Sequence, residues 1–246
     1  MLGTEQPALE QWPGELHRHP KKSSVTYPTR VHLADWLQAE AARAAQDFGR
    51  YRVLDIGCGK KPYYPYFAAN ASEYLGVDID SDNPFADVLG PVEDLPVEDG
   101  SFEIVLCTQV LEHAGDPDQA ISELHRVATP GGRVLASTHG VQVYHPAPED
   151  HWRWTHSGLD LLFLRNGEWA SIDVQPAGGT ATCLAAMTGI YLDMLFRRVH
   201  LTPVAKGLVW SLNTTGAALD RRVAGLRATQ PGSIFLNYHV VAEKPA

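Results

Sequence analysis

Cysteine is scarce in this chain of 246 residues: Cys58, Cys107 and Cys183 are the whole supply, widely spaced and odd in number. That spacing supports neither a disulfide framework nor a thiolate metal site, so a reducing cytoplasmic setting is expected. Also missing is any uncharged apolar run of membrane-spanning length, and no membrane span is expected. The first thirty residues carry Glu5, Glu10, Glu15, His17 and Arg18 among several prolines, and hold no apolar stretch of the kind a secretory leader needs. Basic residues cluster in nothing longer than pairs: Lys21-Lys22, Lys60-Lys61, Arg197-Arg198 and Arg221-Arg222. The net charge of −9 repels phosphate backbones, so nucleic acid is not expected as a partner. Internal repeats and low-complexity segments are absent too.

What is present is ordinary globular composition, 44% hydrophobic and 20% charged, in a length suited to one α/β domain. Residues 1–28, rich in proline and histidine, form an expected arm; residues 29–246 form the expected domain. A helical stripe over Val31, Leu33, Ala34, Leu37, Ala41 and Ala45 begins after Thr29 and stops near Gly49. Short apolar runs then alternate with helical patterns. Strands are expected at 52–56, 74–78, 86–89, 102–107 and 131–137, then near 172–174 and 235–242, with a helix over 117–127. This alternation predicts a mainly parallel, seven-stranded Rossmann-like sheet flanked by helices. A helical insertion, about 181–227, precedes the last strand.

The segment Val53-Leu54-Asp55-Ile56-Gly57-Cys58-Gly59 runs a buried strand straight into a glycine turn. In such sheets a ligand binds beyond the carboxyl ends of the strands, and glycine lets the backbone approach it. Asp78 ends the next strand, where a carboxylate would accept from ribose hydroxyls and repel a 2′-phosphate. The dinucleotide fingerprint would need a third glycine where Pro62 stands, so a pyrophosphate on a helix N-terminus is disfavoured. Asp55 could instead pair with the amino group of a cationic ligand.

These residues, with Gly76-Val77-Asp78, Glu93-Asp94-Leu95-Pro96, Ser101-Phe102-Glu103, Val110-Leu111-Glu112-His113 and Pro130-Gly131-Gly132, make the chain resemble the class I S-adenosylmethionine (SAM)-dependent methyltransferases. The resemblance covers about 50–140 in the expected order. It implies SAM as cofactor, with Asp55, Gly57, Cys58 and Gly59 around its methionine part. It also implies Asp78 on the ribose, Ile79 against the adenine, Glu93, Asp94 and Leu95 at the adenine edge, and Thr108 and Gln109 below the ligand. Relatives often carry an aspartate where Pro91 stands, which shifts adenine recognition toward backbone groups or Asp94. Gly59-Lys60-Lys61-Pro62-Tyr63, the run from His145 to Thr155 and the ending Asn237 to Ala242 are similar to methyltransferases of surface-glycan and secondary biosynthesis. They point to a branch of the family rather than to an acceptor.

Methyl transfer from a sulfonium asks mainly for alignment, and a hydroxyl acceptor gains from a general base. Residues 139–156, which follow the fifth strand, crowd His139, His145, Glu149, Asp150, His151, Arg153 and His156 among Tyr144, Trp152 and Trp154. His145 or His151 is the expected base, oriented by Glu149 or Asp150. His113, Tyr144, Arg153 and Trp154 are expected against a small-molecule acceptor. In the plainer alternative, the tryptophans pack the loop and Arg153 bridges to a carboxylate. A metal held by His145, Glu149, Asp150 and His151 is not expected, since Mg²⁺ prefers oxygen ligands. The 181–227 helices suit a lid and core best, with a homodimer face or a shallow membrane contact as the other uses. The expected activity is O- or N-methylation of a small biosynthetic acceptor such as a sugar or secondary metabolite. A SAM-binding enzyme of another reaction type and a non-catalytic SAM-binding subunit stand as alternatives.

Overall fold

Fully buried runs of apolar residues build the centre of the sheet, because helices cover both of its faces and leave no polar side for alternation. The computed structural model describes residues 9–146 and 148–246; residues 1–8 of the expected arm and Ala147 of the acceptor segment lie outside the described residues. The strands are β1 (Tyr51–Ile56), β2 (Ala71–Asp78), β3 (Val88–Leu89), β4 (Phe102–Thr108), β5 (Ala128–His139), β6 (Ser171–Ala177) and β7 (Asn237–Glu243). They form one seven-stranded sheet in the order β3-β2-β1-β4-β5-β7-β6. All neighbours are parallel except β7, which runs antiparallel between β5 and β6. Strand order reverses between β1 and β4, and the carboxyl ends of these two strands face a single crevice.

The short α1 (Glu15–Arg18) precedes α2 (Tyr27–Phe48), which lays Leu33, Leu37, Ala41 and Ala44 against Val53, Ile104 and Leu106 on one face of the sheet. The brief α3 (Tyr64–Phe67) sits beside it. On the other face, α4 (Pro117–Val127) and α5 (His156–Arg165) bury Ile121, Leu124, Leu159 and Phe163. Asp116 caps α4 by accepting from the Gln119 N–H at 3.1 Å, with Pro117 at the first helical position. Thr155 caps α5 in the same way through the Gly158 N–H at 3.0 Å. Nothing in the sequence reading anticipates α5, although Leu159, Leu162 and Phe163 are spaced for one helical face.

The insertion resolves into α6 (Thr180–Arg198) and α7 (Thr202–Arg222), an antiparallel pair. Buried Asp220 of α7 accepts from the Ala181 and Thr182 N–H groups, each at 3.0 Å, and so fastens the start of α6 to its partner. Boundaries move by a few residues elsewhere. Helix α2 starts at Tyr27, with Thr26 rather than Thr29 in the capping position and Pro28 in its first turn. Strand β5 starts at Ala128, which pairs with Phe102, and the Pro-Gly-Gly run forms an irregularity before pairing resumes at Arg133.

The arm is not irregular throughout. A 3₁₀ turn at Leu9–Gln11 leads to Trp12, whose ring lies 4.4 Å from that of Tyr64 and whose indole N–H donates to the Lys61 carbonyl at 2.8 Å. Arg18 donates to the carbonyls of Pro13 and Trp12 at 2.9 Å and also to that of Pro62. The arm is thereby clamped onto the turn that follows β1. Trp12→Ala removes a buried indole and orphans that carbonyl, and is expected to cost about 3 kcal/mol. Urea denaturation with limited proteolysis of the arm checks this; an unchanged midpoint would show that the arm contributes nothing to the fold.

Candidate cofactor and acceptor site

The turn after β1 has no room for side chains where it matters. Gly57 takes φ +63°, and a Cβ there would lie 2.4 Å from Val110 Cγ2. In the next strand Gly76 lets Lys61 and Cys58 pass across β2, since a Cβ would meet Lys61 Cε at 2.3 Å. Asp78 holds the turn from the side: its Oδ2 accepts from the Gly59 N–H and from Asn83 Nδ2, both at 2.9 Å. Asn83 also donates to the Gly59 carbonyl at 2.7 Å. Lys61, at φ +48° and buried, reaches Asp87, which also accepts from the Gly76 N–H at 2.7 Å. Asn83 and Asp87 are site residues that the sequence reading missed; only their position just after Asp78 hinted at them.

Two cavities meet at this turn. The smaller, about 280 Å³, is bordered by Asp78, Ile79, Pro91, Val92, Glu93 and His113. The larger, about 1050 Å³, is bordered by Asp55, Cys58, Gly59 and Thr108 on the sheet side. His139, His145 and Val143 line it from the loop after β5, and Leu16, His17 and Arg30 from the arm and α2. Gly57 and Gln109 line both. Gln109 takes φ +58°, a left-handed backbone costly for a residue with a side chain, and is held there by its N–H on the Ser137 carbonyl at 2.8 Å. Its amide also donates to Ser137 Oγ at 3.0 Å and to Asn237 Oδ1 at 3.2 Å.

Asp55 is buried, and its carboxylate accepts from the Tyr74 hydroxyl at 2.8 Å. Burial raises its pKa to about 7, against the opposing pull of Tyr74 and Lys61. Burial also pushes the Cys58 thiol up to about 12, so it is an inert packing group rather than a nucleophile.

The adenine-edge loop is displaced from its expected place. Asp94 points to solvent, and Leu95 is buried in the core with its N–H on Glu123 Oε2 at 2.9 Å. Of the expected edge, Glu93 borders the smaller cavity, beside Pro91 and Val92. The Glu93 carboxylate is occupied by the N–H groups of Gly115 and Asp116.

The acceptor segment divides just as clearly. His145 lines the larger cavity, and its ring lies 5.3 Å from that of His113 and 5.0 Å from that of His139. His113 Nδ1 contacts the Glu149 carbonyl. His151 and Glu149 pair with each other at 2.8 Å on the surface, away from both cavities. Asp150 accepts both guanidinium branches of Arg153, at 2.5 and 2.7 Å, and the His145 N–H at 2.9 Å. Arg153 is spent on that carboxylate and on the carbonyls of Gln142, Val143 and Trp152, which is the bridging alternative. Tyr144 is 73% exposed; Trp154 packs against the core, stacked on Trp152. Ligand atoms of His113, His145 and Asp150 lie within 4.8 Å of one another, a trio that shares only His145 and Asp150 with the four residues weighed for a metal. The bidentate Arg153 pairing occupies the only oxygen donor in it.

Behind these histidines lies a pair that the sequence reading left out. Glu112, fully buried, has Oε1 3.2 Å from His139 Nε2 and accepts from Thr138 Oγ1 at 2.8 Å. Its own carbonyl receives the N–H groups of His151 and Trp152. Burial opposes both charges: it raises the Glu112 carboxyl to about 7 and lowers the His139 imidazole to about 3. The contact is therefore between two groups that resist ionising, not an ion pair. The only sequence signal for it was the Glu112-His113 motif and a histidine at the carboxyl end of β5.

These shifts give opposite pH signatures. As pH falls from about 6.5, the unfolded chain protonates a histidine that stays neutral in the native state, so His139 removes stability toward acid. Glu112 keeps its proton in the native state up to about 7, so over the same window it adds stability as pH falls. His139→Gln is expected to flatten the acid limb of stability against pH, and Glu112→Gln to steepen it. Urea denaturation at pH 7, 6 and 5 reads both; parallel curves for all three proteins would refute the assignment.

Residues 54–136 match a family model described as a methyltransferase domain. The ubiquinone biosynthesis O-methyltransferase of Pseudomonas aeruginosa is 30% identical over 129 residues, 45% of this chain and 50% of that one. The corresponding enzyme of Acinetobacter baumannii is 28% identical over 194 residues, 69% of this chain and 77% of that one. For most of these curated relatives the match spans about half their length. Among solved structures, a SAM-dependent methyltransferase of Archaeoglobus fulgidus superposes with a TM-score of 0.52 at 16% identity, covering 94% of this chain and 97% of that one. That likeness is one of fold. With the glycine turn, the Asp78 carboxylate and the crevice at the reversal of strand order in place, residues 54–136 are a methyltransferase domain set in a fold of the class I S-adenosylmethionine-dependent kind.

Proposed function

We propose that this chain transfers a methyl group from SAM to an oxygen or nitrogen of a small biosynthetic acceptor held in the larger cavity. The observation that carries the reading is the meeting of two cavities at Gly57 and Gln109, with His145 in the wall of the larger. The residues suit the cofactor. The smaller cavity offers Asp78 to a ribose and the exposed side chain of Ile79 to an adenine. Adenine selection rests on the backbone of Pro91 to Glu93, because no free carboxylate borders that rim. Buried Asp55 suits an ammonium, which would favour its ionised form and draw off the proton that burial retains.

When bound, SAM supplies a methyl group already activated by a sulfonium charge. The protein's part is to align the acceptor, exclude water and take a proton. The arm and α2 close the larger cavity on one side, and the loop after β5 on the other. His145 is the base that its position favours. Asp150 fixes its backbone, and the uncharged His139 behind it leaves room for a proton to be accepted. His151 and Glu149 serve the loop surface. The named activity of the ubiquinone-pathway relatives is O-methylation, which makes a hydroxylated aromatic the first acceptor to test, ahead of sugars.

Calorimetric titration with SAM and its demethylated product, S-adenosylhomocysteine, tests the reading. Both are expected to bind, and Asp78→Ala to weaken both at least tenfold, the loss of a charge-assisted hydrogen bond of about 1.5–3 kcal/mol. His145→Ala is expected to keep cofactor affinity and slow product formation about a hundredfold or more against phenolic and sugar acceptors. A folded protein that binds neither ligand would refute the cofactor assignment. Full turnover without His145 would refute only the base.

A further inference from the structure

The α6–α7 hairpin leaves much of its apolar surface uncovered. Among the described residues, half of the exposed large hydrophobic side chains lie on these two helices and their connection. They concentrate at the closed end, where Met194, Leu195, Val199, Leu201 and Val204 are 45–58% exposed. A patch of this kind marks a contact surface more often than idle solvent exposure.

Charge at the same end is of one sign. Arg197, Arg198 and Lys206 are interleaved with the apolar residues there, whereas Arg221, Arg222 and Arg227 lie at the opposite end of the hairpin, beside the start of α6. The two carboxylates of this section are already committed. Asp193 pairs with Arg197 at 2.6 Å, and Asp220 is buried on the first N–H groups of α6. A chain of net charge −9 thus presents one apolar, basic protrusion.

We infer that the closed end of this hairpin docks on an anionic lipid bilayer. Its leucines, valines and Met194 enter the boundary between headgroups and acyl chains, and its cations face lipid phosphates. Tyr191 and Trp210, both more than half exposed, lie further along the same helices, as aromatic groups do at headgroup depth. The element lies on the bilayer, since no described helix is long and apolar enough to cross one. A second copy of the chain is the poorer occupant, because a two-fold contact through this end would set Arg197 and Arg198 near their own counterparts. Docking has a consequence for the cavity. Ile190, one helical turn before Met194, lines the larger cavity, so the surface that meets the bilayer borders the acceptor space.

Co-sedimentation of the full chain with vesicles tests this independently of any activity. Binding is expected to vesicles of phosphatidylcholine and phosphatidylglycerol in equal parts, not to phosphatidylcholine alone, and to weaken as salt rises. Arg198→Ala and Lys206→Ala are each expected to weaken it about fivefold. Leu195→Asp with Val199→Asp is expected to abolish it while leaving the circular-dichroism melt unchanged. No binding to the mixed vesicles overturns the inference, as does binding that survives the paired aspartates. A dimer in light scattering that the same aspartates dissolve, without vesicle binding, overturns it in favour of a second copy. Failure here leaves calorimetric SAM binding untouched, and loss of SAM binding leaves vesicle binding untouched.

Discussion

The Asp78 carboxylate is the anchor on which the site depends. It ends β2, accepts from the Gly59 N–H and from Asn83, and so fixes a turn whose glycine at 57 leaves no space for a side chain. Without that clamp the turn would be a short flexible loop, and neither cavity would keep its shared wall at Gly57. The clamp extends outward. Cys58 is buried beneath it, Lys61 threads past Gly76 to Asp87, and the carbonyls of Lys61 and Pro62 hold the arm through Trp12 and Arg18. One carboxylate, placed by strand register, thereby links the sheet, the cofactor turn and the segment that roofs the larger cavity.

The polar interior near β5 follows a different logic. Glu112, His139 and Asn237 are buried at the carboxyl end of the sheet, where an apolar core would be more stable by area alone. Atoms of all three lack a hydrogen-bond partner among the described residues. Each such orphan costs about 1–3 kcal/mol. Burial keeps Glu112 protonated and His139 neutral to the extent that it can, which lowers the cost without removing it. Interiors that retain such groups generally do so at sites of chemistry or ligand contact.

Much of the architecture was legible in the sequence because both signals it offers are local. Buried parallel strands read as continuous apolar runs, and α4 announces itself through Asp116, Pro117 and an apolar stripe. The glycine turn and Asp78 were equally plain, since backbone geometry dictates residue type there. What escaped was whatever depends on which residues meet across the sheet. Asp94 and Leu95 looked like the adenine edge by position, yet Leu95 is drawn into the core by Glu123, which shifts the rim toward Pro91. In the acceptor loop, titratable groups were dense enough to suggest a site but not to sort it. Arg153 and Asp150 neutralise each other and brace the loop, His151 and Glu149 pair outside, and His139 and His145 line the cavity. The Glu112–His139 contact joins residues 27 positions apart on different elements, and no spacing rule reports it.

Strain sharpens the same point. Lys61 and Gln109 hold left-handed backbones that glycine would adopt at far lower cost, each worth roughly 1–2 kcal/mol. Replacing either by glycine would relieve that strain and lose the side chain, so the side chain must matter at that place. For Lys61 the reason is visible: its ammonium reaches Asp87 across β2 and braces the turn. For Gln109 the amide bridges Ser137 and Asn237 while its backbone forms the wall common to both cavities. A side chain that ties β4 to β5 and β7 at the floor of the crevice keeps those three strand ends in register. Rigidity of that kind is what an in-line transfer requires, since the reacting atoms must be held close and aligned.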